Sequence, residues 1–360
     1  MKNWLYILLI SILFVFQDVN SQEYIINTEK IEREARKLIK RKKVPGLSIS
    51  VISNDSLVFS KGYGYADIER KISINSRETL FRIASISKSL SAYGLAKAVE
   101  QNLINLDTTA YAYLPDFPKK RYDFTIRDLG GHLAGIRSYK EKEFENSENL
   151  TITEGLDFFK SDTLLFEPKT NYNYTSYGWN LISKALENSA NTTFEDFMNA
   201  NVIAPLNLQK TLVDKNDDLK SKAIYYSKGR LNRKFYEVKS VNNYFKLASG
   251  GYLSTSEDIA KFGNALLNYT DIDTTIFNEF ISSQSLKNNS KTYYGIGFQT
   301  SFDHNNRPYF GHFGSGQGSY GLFYVYPNEK TVVVILMNCS NPNQQKRFNR
   351  IIDAVFDSRS

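Results

Sequence analysis

Ser85 and Lys88, a hydroxyl and an amine three residues apart in the run Phe81-Arg82-Ile83-Ala84-Ser85-Ile86-Ser87-Lys88, are the side chains of this sequence best suited to covalent chemistry. A serine attacks a carbonyl only when a base takes its proton, and a lysine stripped of water can be that base. From Ser89 onward Leu90, Tyr93, Leu95, Ala96, Ala98 and Val99 follow a helical apolar pattern without proline. The pair is therefore expected at the first turn of a helix, where residues i and i+3 share a face. Unpaired N–H groups and the positive dipole end at that turn suit a developing oxyanion. The same spacing by itself also describes an ordinary solvated helix start.

The flanking elements must hold that turn against something. Residues 26–43 read as a helix stopped by Val44-Pro45-Gly46. Residues 47–53 alternate apolar and polar, Asn54-Asp55 turns the chain, and 57–65 return as the second arm of a hairpin. From Ser85 to about Asn289 the patterns are mostly helical, as in 177–188, 193–200 and 256–268. Strands return at 293–300, 308–314, 320–326 and 331–338, before an amphipathic helix over 344–356. The fold class is thus α+β: one antiparallel sheet built from both chain ends and flanked by the terminal helices, with a large helical insertion. The expected division is a sheet subdomain of residues 24–84 plus 290–360 and a helical subdomain of residues 85–289.

At 360 residues, 41% hydrophobic and 23% charged, the chain can bury a large core. Lys2, the apolar stretch Trp4 to Phe16 and the small residues before Gln22 read as a signal peptide over 1–21, implying export. The net charge of +7 gathers partly in residues 33–43, a solvated helix face or a weak contact for an anionic surface. No basic and aromatic interleaving of a nucleic-acid module appears. The lone Cys339, after an apolar run, reads as a buried thiol and excludes an internal disulfide. Three histidines without ligand spacing argue against a metal, and no cofactor motif is present.

Several segments in order resemble the serine β-lactamase-related superfamily, in its class C β-lactamase, D-alanyl-D-alanine carboxypeptidase and esterase branch. They are Val44-Pro45-Gly46-Leu47 with the hairpin ending at Asp67, Phe81 to Lys88, Thr125 to Ile136, Tyr174-Thr175-Ser176, Ala248 to Thr255 with Asp258, and Gly311 to Gly316. Two positions depart from the β-lactamase pattern. Ser176 stands where Tyr-x-Asn would place an asparagine, and His312-Phe313-Gly314 stands where Lys-Thr-Gly is usual. Histidine there is similar to the peptidase, esterase and mitochondrial β-lactamase-like branches, and the stretch His132 to Tyr139 resembles the last of these.

The resemblance implies a β-lactamase/transpeptidase-like fold and a serine hydrolase working through an acyl-enzyme. Ser85 would be the nucleophile, and Lys88 and Tyr174 would move protons, each a candidate for the acylation base. A phenol beside a lysine cation would favour phenolate. Ser176 would bond Lys88 or substrate, and His312 would meet a substrate carboxylate or support Tyr174. Gly314 would let the strand approach the substrate closely, and the Ser315 N–H would complete an oxyanion hole with that of Ser85. Peptide or cell-wall-derived amides lead the expected small-molecule or peptide substrates, then small esters, then β-lactams. The alternative is a penicillin-type ligand sensor without turnover, or a pseudoenzyme scaffold. His132 is expected to hold its loop, and His304 to be solvated.

Overall fold

The computed structural model describes residues 26–215, 219–229 and 234–357; the signal-peptide reading lies outside them. Among the described residues, seven strands form one antiparallel sheet. The chain ends supply all of it: β1 (Gly46–Ser53), β2 (Ser56–Asp67), β3 (Ile72–Ser73), β4 (Gln299–Phe302), β5 (Pro308–Gly316), β6 (Ser319–Tyr326) and β7 (Thr331–Met337). Their order across the sheet is β3-β2-β1-β7-β6-β5-β4. The first and last long strands therefore meet in the middle, Leu47 opposite Met337 and Ser53 opposite Thr331.

Both faces of the sheet are covered, and the strands show it. In β7 Val333, Ile335 and Met337 face one core while Val332, Val334 and Leu336 face the other. Such a doubly buried strand reads as a continuous apolar run. On one face lie the terminal helices, with Ile31, Ala35 and Leu38 of α1 (Thr28–Lys40) beside Phe348, Ile351 and Val355 of the C-terminal helix Gln345–Val355. On the other face lies the helix Ser256–Leu267, where Phe262 meets Phe323 of β6 at 5.7 Å between ring centroids. Ser48 and Ser50 point the same way and both bond Ser256 Oγ, at 2.6 and 2.7 Å. Alternation in β1 is thus satisfied by hydroxyl pairing instead of by solvent.

The insertion, expected to be mostly helical, also contains strands. Residues 85–289 contribute short strands Leu212–Val213, Tyr226–Lys228, Phe235–Glu237 and Tyr252–Ser254. Tyr252–Ser254 pairs with Phe81–Arg82, directly before the nucleophile turn. These strands are too short to give a two-residue periodicity. The expected strand at 293–300 is also displaced: only Gln299–Phe302 joins the sheet. Cys339 is buried at the end of β7 and its thiol is pushed up to about 12 by burial, as befits an inert side chain. In α1 some basic charge is paired, Arg36 with Glu32 and Lys37 with Glu34, while Arg33, Lys40, Arg41 and Lys42 are exposed. Among the described residues no helix is long and apolar enough to cross a membrane.

Candidate active site

Ser85 does not start the helix as expected. It sits in a short 3₁₀ turn, Ala84–Ile86, that leads into α2 (Ser87–Glu100). Ala84, immediately before it, has φ +46°, a left-handed conformation that costs an L-residue roughly 1–2 kcal/mol. That strained turn leaves Ser85 partly exposed in a helix start where Lys88 is wholly buried.

The Lys88 amine is the hub of the site. Its Nζ lies 3.1 Å from Ser85 Oγ, 3.3 Å from Ser176 Oγ and 2.8 Å from the Ser249 carbonyl oxygen. Among the described residues no carboxylate lies within ion-pair distance of it. Burial strips the ammonium of water and lowers its pKa well below the ordinary lysine value, and repulsion from Lys246 adds to this. As a neutral amine it has two N–H bonds and one lone pair. The N–H bonds satisfy Ser249 and Ser176, and the lone pair is left for the Ser85 hydroxyl.

Tyr174 arrives on the far side. Its ring is 5.0 Å from Lys88 Nζ, and its buried hydroxyl faces Ser85 without closing a hydrogen bond of ordinary geometry. Burial raises its pKa far above the usual phenol value, and the facing Ser85 hydroxyl only partly offsets this. Burial thus disfavours the expected phenolate, and the lowered pKa of Lys88 weakens the charge that would favour it. The loop before α3 (Tyr177–Ala190) fixes Tyr174 and Ser176. Thr175 donates to the Arg137 carbonyl at 2.6 Å, Ser138 donates to the Tyr174 carbonyl at 2.8 Å, and the Thr175 N–H reaches His132 Nδ1 at 3.3 Å. His132 thus braces its loop.

His312 and Gly314 both lie on β5. His312 is fully buried in β5 and is absent from the walls of the Ser85 cleft. Its Nδ1 bonds the Phe313 carbonyl oxygen at 2.6 Å and so carries the proton, which leaves Nε2 to accept from the Tyr294 hydroxyl at 2.9 Å. Burial, then the nearby Lys88, push its pKa down to about 3. It is a neutral, fully engaged imidazole 5.9 Å from the Tyr174 ring, a geometry that matches the second of its two expected roles, support of Tyr174. At Gly314 an added Cβ would stand 2.2 Å from the Ile83 carbonyl oxygen, so the close approach is to the nucleophile turn. Ser315 follows and lines the same cleft as Ser85. His304 is exposed but bonds Asp353 on the C-terminal helix at 3.0 Å.

Four residues at the site carry no expected role. Ser249 gives Lys88 its carbonyl, Tyr294 holds His312, and Tyr139 and Lys246 line the cleft. The Tyr139 hydroxyl faces Ser176 and Ser249, while burial pushes its pKa up to about 12. The one signal available was position. Tyr139 ends the stretch that begins at His132, and Lys246 stands two residues before Ala248-Ser249-Gly250-Gly251.

The chain is similar to several known proteins. The human mitochondrial serine beta-lactamase-like protein LACTB is 29% identical over 294 residues, which cover 62% of this chain and 53% of that protein. The chain thus spans about half the length of that relative. The Staphylococcus aureus teichoic acid D-alanine hydrolase is 25% identical over 305 residues, 82% of this chain and 71% of that one. The crystal structure of D-amino acid amidase from Ochrobactrum anthropi SV3 superposes with a TM-score of 0.81 at 21% identity, over 92% of this chain and 99% of that chain. It has the same α+β, β-lactamase/transpeptidase-like fold. The family model described as Beta-lactamase matches residues 31–356, so the chain belongs to the Beta-lactamase family.

Proposed function

We propose that the protein is an exported serine hydrolase that turns over an amide, peptide or ester through an acyl-enzyme on Ser85. The observation that carries this is the 3.1 Å contact between Ser85 Oγ and a buried lysine amine that has no carboxylate partner among the described residues. Neutral Lys88 takes the Ser85 proton as Oγ attacks the carbonyl carbon. The Tyr174 phenol, kept protonated by burial, donates to the leaving group and is reprotonated from Lys88. The N–H groups of Ser85 and Ser315, both on the cleft wall, are assigned to the oxyanion. Water then enters, Lys88 takes its proton as the water oxygen bonds the acyl carbonyl carbon, and Lys88 returns that proton to Ser85 Oγ as the bond to the acyl group breaks and the acid leaves.

The relatives named as a D-alanine hydrolase and a D-amino acid amidase support D-amino-acyl esters and amides as the first substrates to try. The neutral His312 at the third motif supports peptidase- or esterase-like turnover over efficient β-lactam hydrolysis. The apolar run Trp4 to Phe16 supports export, with cleavage near Ser21.

Reaction with a fluorophosphonate or a fluorescent penicillin, followed by intact mass, tests the chemistry. A stoichiometric adduct that Ser85→Ala abolishes is expected, and an unmodified protein removes the serine-hydrolase reading. Para-nitrophenyl esters, D-amino-acid amides and nitrocefin assayed side by side then separate turnover from trapping. A long-lived adduct with no product in any of them identifies a sensor instead.

A further inference from the structure

The cleft that opens over Ser85 contains a second buried lysine. Lys246 is 4% exposed, yet it lines the same wall as Ser85, Ser249 and Ser315. Its Nζ donates to the Phe144 carbonyl oxygen at 2.7 Å and lies 4.4 Å from the Phe144 ring centroid and 5.5 Å from that of Tyr139. Among the described residues no carboxylate comes within ion-pair distance. The nearby acid is committed elsewhere: Asp214 bonds Arg82 at 2.6 Å and Lys222 at 2.7 Å, so two cations already share one carboxylate. Glu143, on the segment that carries Phe144, bonds Arg137. Arg82, held by Asp214, also lines the cleft, and Lys88 Nζ lies 3.1 Å from Ser85 Oγ.

A buried cationic side chain without an anion is costly, and one carbonyl with aromatic faces compensates it incompletely. The cleft therefore holds one basic group, Lys246, without an anionic partner among the described residues, and the β5 position that could have supplied an anchoring cation holds neutral His312. We propose that Lys246 is a specificity-determining residue that pairs with a carboxylate on the substrate, placed so that the scissile carbonyl meets Ser85. This rests on the acyl-transfer reading and names the substrate class within it: an acyl donor, or its leaving group, that bears a free carboxylate.

Two matched ester pairs test it. One is the para-nitrophenyl ester of glutaric half-acid against its half-amide, with charge on the acyl side. The other is para-acetoxybenzoate against its amide, with charge on the leaving group. Wild-type kcat/KM is expected to favour the carboxylate in one pair by about tenfold, the effect of one hydrogen bond to a charged group. In Lys246→Met that ratio should fall to near one. Equal rates in both pairs, or a preference that survives in a folded Lys246→Met or Lys246→Gln variant, overturn the assignment.

If neither variant folds, the wild-type ratio against pH decides, because the shared catalytic steps cancel in it. Burial, then repulsion from Arg82, push the Lys246 pKa down to about 7, with Asp214 opposing. The charge needed to hold a carboxylate is present below that pH and lost above it, so the preference should fall as pH rises through about 7. A flat ratio overturns the proposal. Formation of a Ser85 adduct without any carboxylate preference rejects Lys246 alone, whereas no adduct rejects the acyl-transfer reading beneath it.

Discussion

In the proposed mechanism the Lys88 amine and the Tyr174 hydroxyl divide proton transfer by what surrounds each. Burial favours the neutral form of both, which turns the lysine into a base and keeps the phenol an acid. Tyr174→Phe removes the proton donor and leaves the Lys88 contacts to Ser85, Ser176 and Ser249 in place. Its kcat should fall by about a hundredfold or more with little change in KM, read by steady-state kinetics on an amide and an ester. Near-normal rates on both would reject the assigned role. The pH profile separates a depressed amine from an ordinary one. A base must be unprotonated, so on a substrate without a carboxylate kcat/KM should decline on the acid side as Lys88 takes up a proton and level off well below the ordinary lysine value. A rate still climbing toward the ordinary lysine value of about 10.4 would show that Lys88 is not desolvated in solution.

At the scale of elements, the site depends on how closely β5 approaches the turn before α2. Gly314 is the contact point, because any side chain there meets the Ile83 carbonyl oxygen. Gly314→Ala should push the strand from the Ala84–Ile86 turn and cost about 1–3 kcal/mol by overpacking. Denaturant unfolding should report that loss, and acylation of Ser85 by a fluorophosphonate should slow more than stability alone explains. Full stability with full acylation would mean that the strand is free to move. The helix of Ser85 was legible in the sequence from the apolar pattern after Ser89, as were the hairpin and the three long C-terminal strands. The 3₁₀ turn and the left-handed Ala84 were not, since φ at one alanine leaves no mark on composition. The short strand Tyr252–Ser254 was hidden for a related reason: three residues carry no period, and pairing with Phe81–Arg82 is a non-local event.

Across the whole molecule, the insertion is locked to the sheet side by a buried charge cluster. Asp214 accepts from Arg82, Lys222 and Asn243 at 2.6, 2.7 and 2.9 Å. Burial opposes its ionisation, yet Arg82 and Lys222 together hold its carboxyl below the ordinary value. Asp214→Asn should destabilise by about 3–5 kcal/mol in denaturant unfolding, because two buried cations lose their anion. A change within about 0.5 kcal/mol would mean that the cluster is dispensable. For the wild type, a carboxyl with a depressed native pKa binds protons more readily once unfolded. Its contribution is therefore complete above about pH 4 and is lost as pH falls through the lower native value, which acid unfolding should register.

The linear order of residues by itself determined the α+β architecture, the closure of one sheet by both chain ends, and the Ser85–Lys88 pair. Each of these follows from local periodicity or fixed helical spacing. Motif order brought Tyr174, Ser176 and Ser315 to the same site. Only the tertiary structure decided protonation and access. Burial from elements far apart in the chain makes Lys88 an amine, keeps Tyr174 a phenol and buries His312 away from the cleft. The same packing brings Lys246, whose position two residues before Ala248-Ser249-Gly250-Gly251 announced nothing, to the wall facing the nucleophile. Desolvation is a property of the whole fold, so no spacing along the chain could have revealed it.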